Sequence, residues 1–393
     1  MKLTLEQSKV YDQILKFFKS YEPGYRVLTG YAGVGKTTVI SKVIEELESS
    51  GFRVAVMAYT GRATSVLKNK GVKASTIHSM IYYPIIFNGN VIRFDKKINN
   101  PDKRADLDKF DCFIVDEASM INQEIFKDLM ELENPILFVG DNAQLEPIEK
   151  NKSNFSLFDN ITWQLKHIHR QALENPIIAL SQQIRLTGRF DKSLADDKHL
   201  IFRDKREVMS SKHLKAEGFK YDIILCGLNK TRLKLNNKFR SLGNHTSDHA
   251  EVHEPIICLR NRLLNGRQFY NGERYRVIDR NVVDLEKYLR EIAKYSNVID
   301  DSKIYTYTLR SLDTDDDNTY EVNIPNTSFD EVEPKAKGLG YFTFAYACTV
   351  HKSQGSEWRN VGFVREDVSY FCDQRAFDYT AITRAREHIT IYL

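Results

Sequence analysis

Proline and cysteine are scarce and tryptophan scarcer: the 393-residue chain holds 9 Pro, 5 Cys and 2 Trp. So little proline, with no low-complexity tract, excludes an extensively disordered chain. Cys112, Cys226, Cys258, Cys348 and Cys372 are odd in number and too widely spaced for a zinc pattern. They read as buried free thiols, which suits a reducing compartment. Long hydrophobic runs are missing too. Pieces such as Ile223–Cys226 fall far short of the roughly 18–20 residues of a membrane span, and the stretch from Met1 to Val10 has no apolar signal core. A soluble cytoplasmic protein without membrane contact is expected. Nor is one charge in excess: 57 Lys and Arg against 53 Asp and Glu leave +4. A balance this mild excludes capture of a polyanion by the global field, so any nucleic acid has to meet local patches.

What is present is a globular mixture, and at roughly 100–200 residues per domain it predicts two to four domains. The first part alternates short β-branched runs with amphipathic stretches. Strands are expected at Arg26–Thr29, Arg53–Tyr59, Cys112–Val115 and Ile136–Val139, and helices at Gln7–Tyr21, Thr37–Ser49, Arg62–Asn69 and Gln123–Leu132. Together these read as a doubly wound α/β domain with buried parallel strands. The rhythm breaks between Tyr82 and Asp108, where Phe87-Asn88-Gly89-Asn90 lies between Ile85-Ile86 and Val91-Ile92 and predicts a protruding β-hairpin. A second α/β segment starts near Tyr221. Strand-like runs follow at Pro255–Leu259, Tyr275–Asp279, Tyr305–Leu312 and Tyr320–Ile324, and suggest a small inserted barrel. The α/β pattern returns from Phe342 and ends in a strand at Ile389–Leu393.

Gly30-Tyr31-Ala32-Gly33-Val34-Gly35-Lys36-Thr37 fits the phosphate-loop pattern G-x-x-x-x-G-K-[ST], after an expected strand and before an expected helix. Gly33 and Gly35 let the backbone curl, so that its N–H groups, Val34 included, face phosphate oxygens. The start of the helix, with Thr37 and Thr38, adds a favourable dipole. Lys36 then reaches the β- and γ-phosphates of ATP, and Thr37 ligates Mg²⁺. Asp116 and Glu117 close the third strand. Asp116 is expected to hold Mg²⁺, and Glu117 to orient and deprotonate the attacking water. Gln144, in Gly140-Asp141-Asn142-Ala143-Gln144, reads either as an amide that senses the γ-phosphate or as an ordinary polar strand-end turn.

The ordered set resembles superfamily 1 helicases, and the later segments sharpen the likeness. Ala345 to Glu357 (AYACTVHKSQGSE) and Tyr379 to Arg386 (YTAITRAR) resemble motifs V and VI of the superfamily 1B RecD/Dda branch. Thr60-Gly61-Arg62-Ala63 and Ser75-Thr76-Ile77-His78-Ser79 resemble motifs Ia and Ib. The resemblance runs from about Gln7 to Leu393. It implies two RecA-like P-loop domains in tandem, with ATP between them: residues 1–81 and 109–185 for the first, 186–254 and 342–393 for the second. It also implies a hairpin, or pin, at 82–108 and an SH3-like β-barrel at 255–341. By matching position, Gln7 reads the adenine edge. Arg170 and Arg384 become arginine fingers on the γ-phosphate, Arg384 arriving only when the cleft closes. Gly355 and Glu357 lie where the family closes on the γ-phosphate and ribose.

The same resemblance sets out a nucleic-acid path: Thr60, Arg62, Thr76 and His78, then Asn229 and Arg232, then Thr349, His351 and Lys352. His78 and His351 also fit structural histidines. Phe87 and Phe94 either cap the last base pair at a fork or pack against the base of their own hairpin. Arg260, Arg262 and Arg267 are either a solvated face or a lining of the strand exit. The expected protein is a DNA-stimulated, ATP-dependent DNA helicase moving 5′ to 3′ on single-stranded DNA. It would act as a monomer on single-stranded and fork DNA, in DNA replication or recombination, with a single-strand-binding protein or other replication proteins as partners. A single-strand translocase that displaces bound proteins with little unwinding, or an RNA-directed motor, is the alternative. A metabolite kinase is disfavoured by the second α/β half, and a non-enzymatic binder by the intact ATP-site residues.

Overall fold

The computed structural model describes residues 3–69, 71–87, 90–146, 155–167, 174–283, 303–313, 317–334 and 338–393. The chain divides into two compact units. One comprises residues 1–199 and 368–383, the other residues 200–367 and 384–393.

In the first unit the strands are β1 (Gly24–Gly30), β2 (Val54–Ala58), β3 (Ala74–Thr76), β4 (Tyr82–Phe87), β5 (Asn90–Lys96), β6 (Cys112–Asp116), β7 (Pro135–Gly140) and β8 (Trp163–Leu165). Six of them form one sheet in the order β3-β2-β6-β7-β1-β8, every pairing parallel. The side-chain alternation of a strand shows in its two cores. Leu28, Ile114, Leu137 and Val139 pack on one face with Val10, Ile14 and Phe18 of the helix Leu5–Lys19. Val27, Phe113, Val115, Ile136 and Phe138 pack on the other with Ile125 and Leu129 of the helix Gln123–Met130. Both faces are covered, so the strands read as continuous apolar runs. The first helix begins with a capping box: Thr4 Oγ1 accepts the Gln7 N–H at 3.2 Å, and Gln7 Oε1 accepts the Thr4 N–H at 3.0 Å. β4 and β5 pair antiparallel with Phe87 opposite Asn90, as the Asn-Gly signal predicts.

The second unit adds β9 (Leu200–Arg203), β10 (Ile223–Cys226), β11 (Pro255–Cys258), β12 (Arg262–Leu264), β13 (Arg267–Phe269), β14 (Arg274–Val282), β15 (Ile304–Ser311), β16 (Thr319–Pro325), β17 (Phe342–Phe344), β18 (Ala347–Thr349), β19 (Trp358–Val364) and β20 (Ala385–Tyr392). One sheet, β18-β10-β19-β20-β9, is parallel throughout. The other, β16-β15-β14-β11-β17, is antiparallel. The sequence boundary at residue 341 cuts across this second sheet, because Phe342–Phe344 pairs with β11. Asn236 joins the two sheets. Its amide donates to the carbonyls of Phe344 (3.1 Å) and Ala347 (3.4 Å), and its Oδ1 accepts the Ala347 N–H at 2.8 Å.

All five cysteines are free, four of them buried and Cys372 half-buried. Among the described residues no helix is long and apolar enough to cross a membrane.

Candidate nucleotide and nucleic-acid site

Parallel pairing puts the C-terminal ends of all six strands of the first sheet along one edge, where open α/β sheets bind ligands. The loops that leave this edge carry the predicted residues: 31–35 after β1, Thr60 after β2, Thr76 at the end of β3, Asp116 and Glu117 at β6, and 141–144 after β7. β7 lies between β1 and β6, so the Gln144 loop is placed between the phosphate loop and the acidic pair. The sequence alone could not order these strands.

The phosphate loop has the backbone its glycines allow. Gly33 and Gly35 sit at φ 82° and 84°, and Gly35 is the N-cap of the helix Lys36–Ser49. A Cβ on Gly30 would lie 2.7 Å from Val34 Cγ2 and 3.0 Å from the Leu165 carbonyl oxygen. No acidic residue occupies the helix's first turn, so its dipole is left to an incoming anion. Lys36 Nζ donates to the carbonyls of Gly30 and, at 3.1 Å, of Tyr31. Thr37 is exposed and Thr38 half-buried. Gln7 is 3% exposed, and its amide donates to the Val34 carbonyl at 3.0 Å, so it braces the loop from the first helix.

Glu117 has φ 53°, uncommon for a side chain of its size, and turns the chain sharply off β6. Its N–H donates to Asp116 Oδ1 at 2.9 Å. Gln144 is 9% exposed, and its Oε1 has no hydrogen-bond partner, which leaves a buried acceptor at the sheet edge. Thr29 Oγ1 donates to Asn142 Oδ1 at 3.0 Å and ties the end of β1 to the loop after β7. The glycine cradle, the cation, the helix start and the strand-end carboxylates are the donor set that a nucleotide triphosphate with Mg²⁺ requires. Thr37 and Asp116 are the oxygen donors at this edge that could hold such a metal.

The residues expected along nucleic acid divide into several groups. The hydroxyls of Thr60 and Thr76 act as helix caps, accepting the N–H of Ala63 (3.1 Å) and Ser79 (3.2 Å). His78 lies beside the rings of Tyr59 and Tyr82, and desolvation lowers its pKa against the opposing Glu124, although over a third of the residue is exposed. In the second unit Asn229, Thr349, His351 and Lys352 stand at the C-terminal edge of the parallel sheet. Asn229 Oδ1 accepts from Arg232 Nε at 3.2 Å, and Thr349 Oγ1 accepts the Lys352 N–H at 3.4 Å. Desolvation lowers the His351 pKa. Lys352 is exposed at its surface, yet desolvation, with the Arg232 charge, pulls its ammonium below the usual lysine range.

Arg232 departs from the expectation of an open phosphate contact. It is 2% exposed, and its Nη2 lies 2.6 Å from Glu331 Oε1. A buried guanidinium needs such a carboxylate, and here it has one within the fold. The three arginines near β12 are engaged as well. Arg260 and Arg262 pair with Glu333, and the Arg267 guanidinium stacks 3.4 Å from the Tyr320 ring centre.

Gly355 has φ 71°, Glu357 is exposed, and Arg384 is 3% exposed with Nη1 donating to the Ser356 carbonyl at 3.0 Å. Phe94 is 63% exposed, so it does not pack into the hairpin base. Arg170 and the side chains of Arg62 and Phe87 lie outside the described residues.

Two residues escaped the sequence reading. Glu366 is buried, and its Oε2 accepts the N–H groups of Gly227 (2.7 Å) and Leu228 (3.0 Å) at the start of the helix Asn229–Leu242. Tyr379 is fully buried and bonds the phosphate loop.

Fold and site together define a P-loop nucleotide-binding α/β protein. Residues 2–201 match the family model described as an AAA domain, and residues 344–392 match that of a UvrD-like helicase C-terminal domain. The first match covers just over half of the sequence, and the chain belongs to the AAA-domain family. It is similar to the ATP-dependent RecD2 DNA helicase of Deinococcus radiodurans, at 28% identity over 403 residues, covering 98% of this chain and 48% of that protein. It is also similar to the ATP-dependent DNA helicase dda of Enterobacteria phage T4, at 29% identity over 209 residues, covering 50% of this chain and 45% of that protein. The chain spans about half the length of these curated relatives. Its fold resembles that of the Pif1 helicase from Bacteroides in complex with ADP-AlF3 and ssDNA, with TM-score 0.61, 21% identity, and coverage of 100% of this chain and 92% of that one.

Proposed function

We propose that the chain is an ATP-dependent DNA helicase that moves 5′ to 3′ along single-stranded DNA and separates duplex DNA. The observation that carries this reading is the single sheet edge shared by the phosphate loop, Asp116-Glu117 and the Gln144 loop. In this reading Lys36 and the loop amides orient the triphosphate, Glu117 takes the proton of the attacking water, and Gln144 donates its amide toward the γ-phosphate. Thr37 and Asp116 hold Mg²⁺, which supplies charge neutralisation on the phosphates. Arg384 is assigned as an arginine finger by its motif position. The antiparallel sheet around β14 and β15 serves as an SH3-like accessory module, and the β4–β5 hairpin as a strand-separating pin with Phe94 at its surface. Single-stranded and fork DNA are the partners, and the chain works as a monomer.

The test is unwinding of matched duplexes with a 5′ or a 3′ single-stranded tail, in ATP and Mg²⁺, with ATPase followed in parallel. Unwinding from the 5′ tail alone is expected. Unwinding from the 3′ tail alone refutes the polarity, and DNA-stimulated ATPase without unwinding refutes the helicase in favour of a translocase.

A further inference from the structure

The helix Gln374–Ile382 precedes β20 in sequence but packs within the first unit, against the helix Pro176–Thr187. Tyr379 on this helix is fully buried. Its phenol oxygen accepts the Ala32 N–H of the phosphate loop at 3.0 Å and donates to Asp141 Oδ2 at 2.6 Å. Asp141 is itself 1% exposed, and its Oδ1 accepts the Ala143 N–H at 3.0 Å. The next residue, Thr380, accepts the Leu145 N–H on its Oγ1 at 3.0 Å. One helical turn is therefore bonded both to the phosphate loop and, on either side of Gln144, to the loop after β7. The neighbouring residue of the loop is held too: the Arg185 guanidinium stacks 3.6 Å from the ring centre of Tyr31. These contacts fix the first turn of the loop from outside, just before Gly33.

A hydroxyl accepts an amide proton and donates to a carboxylate through the same atom. A phenylalanine would fill the same space and leave the Ala32 N–H and the Asp141 carboxylate each one partner short. We propose that Tyr379 is a positioning residue for nucleotide hydrolysis, whose hydroxyl makes the phosphate loop and the Gln144 loop respond as one body with the helix that leads into Arg384. The inference rests on the reading of this loop as an ATP site.

The test compares Tyr379→Phe, Asp141→Asn and the double variant in the full chain. Affinity for a fluorescent ADP is titrated without DNA, KM and kcat for ATP are measured with and without single-stranded DNA, and thermal midpoints are recorded. Loss of the two hydrogen bonds of the phenol predicts that Tyr379→Phe weakens ADP binding and raises KM by about five- to tenfold. The ratio of DNA-stimulated to basal kcat is expected to fall as well, and the double variant to be no worse than the sum of its parts. A lower thermal midpoint with unchanged ADP affinity, KM and stimulation ratio would make Tyr379 merely structural and overturn the proposal. If Tyr379→Phe does not fold, Asp141→Asn, which replaces the charged acceptor of the phenol by a neutral and weaker one, decides: unchanged ADP affinity and ratio overturn it. If the wild-type chain shows no stimulation by DNA, the helicase reading fails, and the ADP titration still decides the role of Tyr379.

Discussion

At the scale of single residues, chemistry follows from the neighbours each side chain meets. Lys36→Ala removes the one cation of the phosphate loop, and turnover should fall at least ~100-fold while single-strand binding persists, as read by ATPase and by DNA fluorescence anisotropy. Desolvation pushes the thiols of Cys112 and Cys258 up to about 12, and that of half-buried Cys372 to about 11. Alkylation of the native protein at pH 8 should therefore be slow and reach Cys372 first, which peptide mass spectrometry reads directly. Burial alone would raise the Glu251 carboxyl, but hydrogen bonds from Ser247 and the His245 ion pair outweigh it and lower the group to about 2. A depressed carboxylate stabilises above its unfolded value near 4.5 and loses that contribution as pH falls toward 2. Denaturant titrations between pH 5 and 2 should show the second unit losing on the order of 1–2 kcal/mol from this group, after allowance for screening. The types and spacing of Lys36, Thr37, Asp116 and Glu117 were legible in the sequence because local geometry dictates them. Tyr379 was not, since its bond to Ala32 spans 347 residues of chain. The burial and pairing of Arg232 were not legible either, because its counter-charge, Glu331, lies on a distant segment.

At the scale of elements, the hydrophobic period located β1, β2, β6 and β7 and the helices Leu5–Lys19, Lys36–Ser49, Gly61–Asn69 and Gln123–Met130 within a few residues, because burial on two faces leaves a continuous apolar run, but the short strands β3, β8, β9 and β18 carried too few residues to show one. It missed the hairpin β12–β13. The signal was there: Asn265 and Gly266, at φ 48° and 78°, form the two-residue turn between Leu264 and Arg267. The flanking arginines masked it as a charge run. β17 was placed with the wrong neighbours because an apolar triplet carries no label for a parallel or an antiparallel partner. Two predictions belong here. Phe94→Ala on β5 removes an exposed ring without opening a core, so unwinding should fall more than DNA-stimulated ATPase; equal losses would point to a folding role. Arg240 secures the helix Asn229–Leu242. It pairs with the fully buried Glu254 at 2.9 Å, donates to the His249 carbonyl at 2.9 Å and stacks on Phe344 at 3.9 Å. Arg240→Ala strands a buried carboxylate and should cost about 3–5 kcal/mol in chemical denaturation.

At the scale of the whole molecule, the chain leaves the first unit after His199, returns at Val368 and leaves again after Thr383. Sequence motifs read along a line conceal this, because residues 368–383 stand among segments of the other unit. The AAA-domain match ends at residue 201, close to the first crossing, and invites a cut there. Such a fragment would keep the phosphate loop, the acidic pair and the Gln144 loop, yet discard Tyr379 and Thr380, which hold two of them. Circular dichroism and ADP titration of residues 1–201 should reveal a loosely packed fragment with weakened nucleotide affinity, and a peptide spanning 368–383, added in excess, should restore part of both. For a genome that shuffles gene segments, the consequence concerns inheritance. The stretch that looks like a portable cassette is not the smallest heritable part, and a recombination joint placed beyond it would pass on the motif without the brace that holds it.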